Sequence, residues 1–155
     1  KEGQAAIMLP GAEKDFIVFA NGIEVKLYKF IGDKNLQVDK TTWFDFDRLT
    51  FETGSDKLAA SSNEQLDNIA NMLKAYPTVK LKLGGYTDNV GNPEANKTLS
   101  ANRAKNVMAD LVSRGIAADR LESEGYGQEH SICPANDTEE CKAQNRRISV
   151  RVTAK

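Results

Sequence analysis

Histidine is nearly absent from this sequence, with His130 alone, and the only two cysteines are Cys133 and Cys141. A transition-metal site usually draws on CxxC or Cys/His pairs. The stretch SICPANDTEEC has neither spacing, so no metal and no other cofactor is expected. It reads instead as a small loop closed by a Cys133–Cys141 disulfide, with two unrelated thiols as the alternative. Closing so short a loop stabilises a fold by roughly 2–3 kcal/mol in the chain-entropy model, and a disulfide implies an oxidising compartment. Excess charge of one sign is missing too: 21 basic residues face 22 acidic ones, for a net charge of −1. A general nucleic-acid binder would show a basic excess or stripe. No run approaches the ~18 apolar residues that a membrane span requires. There is also no visible signal peptide. The chain opens abruptly at Lys1, so the expectation is a leader, anchor or N-terminal domain outside the sequence.

What remains is an ordinary globular composition, 40% hydrophobic and 28% charged over 155 residues. That length suits one domain, or one domain plus an appendage. Residues 1–40 read as an appendage and linker. FIVFA suggests a strand and NG a turn; IEVKLYKFIG favours a short helix through Ile23, Leu27 and Ile31, although its β-branched residues also permit a strand, and GDKNLQVDK resembles a linker. The main domain, residues 41–155, opens with a strand near 42–46. SSNEQLDNIANMLKAYP is a helix with apolar stripe Leu66, Ile69, Ala70 and Leu73, a Ser61–Glu64 capping box and a stop at Pro77. TVKLKLGGY alternates as a half-buried strand. A second helix runs from about Glu94 to Arg114, with Gly115 at C′. DRLESEGYG is a third strand, and NRRISVRVTA a fourth with Ile148, Val150 and Val152 on one face. Strands alternating with helices in the order β-α-β-α-β-loop-β imply one sheet with helices on a single face.

One cation is out of place. On the second helix Leu99, Val107 and Leu111 share a stripe, and Arg103 interrupts it. A snorkelling arginine or an internal ion pair, with Asp88 as the natural partner, would account for it. Asn96 lies two turns earlier on nearly the same face, and Asp88 sits just past a core strand. An acid, an amide and a guanidinium meeting where a strand ends suit a zwitterionic ligand, with ammonium at Asp88 and carboxylate at Arg103. By strand alternation Arg146 extends the covered row of Ile148, while Arg147 joins Ser149 and Arg151 on a solvated face. Asp45 and Asp47 of FDFD are candidate paired carboxylates, but alternation with inward aromatics explains them as well. DNVGN lacks the ligands of a calcium loop. LGGY and GYGQ are too short for phosphate loops.

GYTDNVGNPEANKTLSANRAKNVMADLVSRGI, GYGQ and NRRISV, with WFDFDRLTFETGSDKL ahead of them, together resemble the OmpA-like peptidoglycan-binding domain of OmpA-type porins, Pal lipoproteins and MotB-type stators. The resemblance spans about residues 41–153. It implies an α+β fold, a two-layer β-α-β-α-β-β sandwich with helices on one face of a mixed four-stranded sheet, here with a small N-terminal appendage. It implies a binding protein rather than an enzyme, whose partner is the diaminopimelate residue of the peptidoglycan stem peptide. Asp88 and Arg103 match the family's ligand-holding acid and arginine, Asn96 its asparagine, Arg146 the first arginine of its NRR motif, and Thr87 and Leu99 positions lining the same groove. The expected location is the periplasm, tied to the outer membrane through an anchor outside this sequence. Further envelope proteins as partners through residues 1–40 or the cysteine loop, and a wall hydrolase using Asp45 and Asp47, are the alternative readings.

Overall fold

The computed structural model describes residues 4–7, 9, 16–19, 22–39, 41–46, 49, 51, 55–88, 91–129, 138–139 and 145–155. His130, Cys133, Cys141 and Asp47 lie outside them, and so therefore does the expected disulfide. Two short antiparallel strands, β1 (Gln4–Ile7) and β2 (Phe16–Phe19), lead into helix α1 (Ile23–Gly32). Strand β3 (Phe44–Asp45), helix α2 (Asn63–Ala75), strand β4 (Lys80–Tyr86), helix α3 (Pro93–Ser113) and strands β5 (Leu121–Gly127) and β6 (Arg147–Ala154) follow. The sheet order is β3-β6-β4-β5. β4 and β5 are parallel, joined through α3, and β6 is antiparallel to both β4 and β3. The sheet is therefore mixed and four-stranded, with the helices on one side, as the α+β expectation required.

Local chemistry explains the helix ends. Asn92 caps α3, its side chain accepting from the amides of Glu94 (2.8 Å) and Ala95 (3.2 Å), with Pro93 in the first turn. Gly115, at φ +105°, turns the chain out of that helix. The start of α2 differs from the sequence expectation. Ser62, not Ser61, holds the N-cap position, in a helical conformation and with no side-chain capping bond. A 3-10 turn over Ala60–Ser62 runs straight into α2, with the Ser62 amide donating to Ala59 O and the Asn63 amide to Ala60 O.

Leu66, Ile69, Ala70 and Leu73 of α2 and Val107 and Leu111 of α3 are buried against Leu81, Leu83, Ile148, Val150 and Val152 of the sheet. Ile23, Leu27 and Phe30 of α1 belong to the same buried cluster, and Phe30 meets Phe44 edge to face at 5.5 Å. Glu24 of α1 is fully buried. It accepts hydrogen bonds from Gln65 Nε2 at 3.1 Å and Asn68 Nδ2 at 2.8 Å, which ties α1 to α2.

α3 lies directly on sheet backbone. A Cβ on Gly85 would stand 2.1 Å from the carbonyl oxygen of Ser100, and one on Gly125 would stand 2.3 Å from the amide nitrogen of Ala101. The glycines of LGGY and EGYG therefore serve helix-to-strand approach. The Ser100 hydroxyl completes the seam, donating to Lys97 O and accepting from the Gly127 amide at 2.9 Å.

The opposite face of the sheet corrects a second expectation. Arg147 and Ser149 are not solvated. The Arg147 guanidinium lies 3.9 Å from the centroid of the Tyr86 ring, with 11% of its side chain exposed, and Ser149 is buried and hydrogen-bonded to Asp45. Tyr126 stacks on Tyr86 at 5.2 Å and meets Trp43 edge-on at 5.9 Å, closing over Gly84. Cations on aromatic faces thus build a small second core where alternation alone suggested water.

Gly85→Ala and Gly125→Ala should each cost about 2–3 kcal/mol or more, because backbone must move to admit the methyl group. Gly32→Ala, where nothing stands within 4 Å, should stay near neutral; urea denaturation checks all three. Burial pushes the Tyr86 phenol up to about 12, with Arg147 opposing. In the unfolded chain it ionises near ~10. The folded protein therefore retains a proton that the unfolded chain loses, and this stabilisation, full below pH ~10, fades as pH rises towards ~12. Tyr86→Phe should flatten that alkaline decline in denaturation curves measured stepwise from pH ~9 to ~12.

Candidate functional site

Two strand ends and the first half of α3 assemble a polar cluster beside the core. Asp88 follows β4 by two residues and is buried at 7% exposure. Its Oδ2 accepts from Arg146 Nη1 at 2.6 Å. Arg146 stands one residue before β6, outside the alternation that strand parity assumed, and its side chain is 36% exposed rather than covered. Its other terminal nitrogen, Nη2, donates to the carboxylate of Glu139. Thr87 is buried and shapes the turn: its amide donates to Gly127 O at 2.7 Å and its hydroxyl to Asp88 O at 2.8 Å. Asn96 Nδ2 reaches the same Asp88 carbonyl from α3 at 3.5 Å. Asp88, Thr87, Asn96 and Arg146 are thus joined directly. Leu99 is half-buried one turn before Arg103.

Arg103 is held differently from the ion pair that its position suggested. The Asp88 carboxylate pairs with Arg146, and Arg103 Nε donates to the carbonyl of Ser55 at 2.8 Å. The guanidinium carbon lies 4.8 Å from the centroid of the Phe51 ring. Among the described residues, Nη1 and Nη2 of Arg103 have no hydrogen-bond partner. Burial, reinforced by the positive charge of Arg146, holds the Arg103 guanidinium below the ordinary arginine value, against Asp56 and Asp88. Arg146 moves the opposite way, chiefly through Glu139 and then Asp88. Both stay cationic at any physiological pH. One cation is therefore neutralised by two acids, while the other is desolvated within its field.

Sequence reasoning missed the segment that aims Arg103. An antiparallel bridge between Phe51 and Leu58 closes the loop ahead of α2. Arg103 binds that loop at Ser55, and Asn106, three residues on, donates to the carbonyl of Asp56 at 2.7 Å. Helical spacing could have flagged Asn106, which lies on the same side of α3 as Arg103. Nothing in the pattern pointed to Glu139. The paired-carboxylate candidate fares differently: Asp45 accepts from Ser149 and stands 3.4 Å from Arg147 Nε, an arrangement that ties β3 to β6.

A mixed sheet backed by helices carries this polar cluster at the end of its central strands; among the described residues no group of three or more His, Cys, Asp or Glu is placed to hold a metal ion. The model of the OmpA family matches residues 50–146, and the chain belongs to that family. The probable lipoprotein YiaD of Escherichia coli (strain K12) is 35% identical over 105 residues, covering 68% of this chain and 48% of that protein. The peptidoglycan-binding protein ArfA of Mycobacterium tuberculosis (strain ATCC 25618 / H37Rv) is 38% identical over 104 residues, 67% of this chain and 32% of that one. The peptidoglycan-associated lipoprotein of Rhizobium meliloti (strain 1021) is 36% identical, covering 65% and 57%. The chain thus spans between about a third and somewhat over half of these curated relatives. Among solved structures, the periplasmic domain of Helicobacter pylori MotB superposes with a TM-score of 0.66 at 24% identity, covering 77% of this chain and 80% of that one. The peptidoglycan-associated lipoprotein of Burkholderia pseudomallei gives 0.62 at 25% identity, covering 70% and 91%.

Asn106→Ala should cost about 1 kcal/mol and raise amide hydrogen exchange across residues 55–58. Lys105→Ala, at the exposed neighbouring position, should change neither quantity.

Proposed function

We propose that this chain binds the uncrosslinked stem peptide of peptidoglycan through its diaminopimelate residue, and so tethers an envelope protein to the cell wall. The observation that carries the reading is Arg103, a buried cation in the field of a second cation, with its terminal nitrogens unused among the described residues. An arriving carboxylate relieves both the desolvation and the repulsion, and the guanidinium fork takes two oxygens at once. Asp88 supplies the opposite charge for an ammonium. The far end of diaminopimelate carries both groups, whereas lysine carries only the ammonium. Relatives named as a peptidoglycan-binding protein and as peptidoglycan-associated lipoproteins support the same reading. So does the likeness to the cell wall anchor of the T6SS from Pseudomonas aeruginosa, at 25% identity and a TM-score of 0.59, covering 68% of this chain and 75% of that one.

The proposed role is binding without turnover, since Asp45 is engaged with Ser149 and Arg147 on the face of the sheet away from the helices. Its proposed setting is the periplasm, with residues 41–155 as the wall-binding module, residues 1–40 as its appendage and outer-membrane attachment supplied by a segment outside this sequence. Asn96, Thr87 and Leu99 complete the groove in this reading, and Arg146 holds Asp88 in place.

Calorimetric titration with diaminopimelate-containing and lysine-containing stem peptides tests it. The protein should prefer the diaminopimelate peptide by about tenfold or more, the worth of a charge-assisted hydrogen bond at a buried site. Arg103→Ala should erase that preference and Asp88→Ala should abolish binding of both peptides, with circular dichroism showing the fold retained. Wild-type affinity in either folded variant overturns the assignment.

A further inference from the structure

Glu139 stands outside every motif that pointed to this site. Its carboxylate accepts from Nη2 of Arg146, while Nη1 of the same guanidinium serves Asp88 at 2.6 Å. One cation therefore bridges two acids of contrasting exposure: the Asp88 side chain is 10% exposed and that of Glu139 77%. Charge counting gives the contact its meaning. Asp88 and Arg146 alone form a neutral pair, and a neutral pair attracts an ammonium weakly. With Glu139 the triad carries one net negative charge, and Arg103 is the cation across from it, with Asp56 also acting on Arg103. The polar cluster then has a negative part at Asp88 and Glu139 and a positive part at Arg103. A second contrast is geometric: both terminal nitrogens of Arg146 already donate to protein carboxylates, whereas among the described residues those of Arg103 donate to none.

We infer that Glu139 is a specificity-determining residue that acts through Arg146. It restores the negative charge of the Asp88 end, so that the site selects a ligand with a free ammonium, and by offsetting the charge of Arg146 it makes that cation a weaker attractor than Arg103 for the ligand's carboxylate, so that the zwitterion enters in one orientation. The inference rests on the stem-peptide reading above and extends it to a residue that does not touch the ligand.

Glu139 is exposed and its ion pair contributes little to folding, so Glu139→Gln should melt where the wild type does. Two peptides separate the outcomes: the diaminopimelate stem peptide, and the same peptide with its side-chain amine acetylated. Glu139→Gln should bind the free-amine peptide about three- to tenfold more weakly at low ionic strength, a loss that shrinks as salt screens the charge. It should bind the acetylated peptide no more weakly than the wild type does, since no ammonium remains to be attracted. Glu139→Asp, which keeps the charge, should restore most of the affinity. Equal affinity of Glu139→Gln and wild type for the free-amine peptide, or equal losses on both peptides, overturns the inference while leaving the stem-peptide reading intact. Failure of the wild type to bind the free-amine peptide sinks that reading and this one with it.

Discussion

Everything at the polar cluster depends on how closely α3 approaches the sheet. The helix rests on bare backbone at Gly85 and Gly125, where a single added carbon would collide at little more than 2 Å. The Ser100 hydroxyl locks the contact by accepting from Gly127 on the neighbouring strand. Because α3 cannot ride higher, Asn96 comes within reach of the carbonyl of Asp88, and Arg103 emerges where the loop after β3 can meet it. A bulkier pair of residues at the two glycines would lift the helix and part the groups by more than a hydrogen bond tolerates.

The cluster itself is an arrangement of unequal cations. Arg146 has two carboxylates and partial exposure; Arg103 has one neutral carbonyl, an aromatic face and burial. Burying a cation without a charged partner costs stability, and the surrounding fold offsets that cost through the Phe51 stack and the Ser55 carbonyl. Groups held in so unfavourable a state are where binding energy is most readily gained, since a ligand of complementary charge removes the penalty as it arrives. The rest of the polar inventory is spent on architecture: Glu24 on joining two helices, Asp45 on joining two strands, Arg147 on covering a tyrosine.

Periodicity carried most of the fold. The stripes of α2 and α3 and the alternation in β4 and β6 match the buried residues closely, because burial of one face is what those spacings encode. The strand and helix favoured within residues 16–32 are present as β2 and α1, while β1, whose QAAI carries no β-branched or aromatic run, leaves no pattern to read. Helix α2 begins beyond the expected Ser61 because a 3-10 turn over Ala60–Ser62 precedes it. Arg147 defied alternation because a guanidinium can be half apolar, covering Tyr86 with its plane.

The sequence by itself determined the helices and strands from β2 onward, the core stripes and the anomaly of a cation at position 103, since each arises from neighbours along a single helix or strand. Tertiary structure alone decided the partners: Arg146 for Asp88, Ser55 and Phe51 for Arg103, Glu139 for Arg146. Those pairs are separated by 58 and 48 residues in two cases, and charge has no periodicity that reports on contacts so distant in the chain. Which acid meets which base follows from where the chain is folded back, and that is set by the packing of α3 on its glycines.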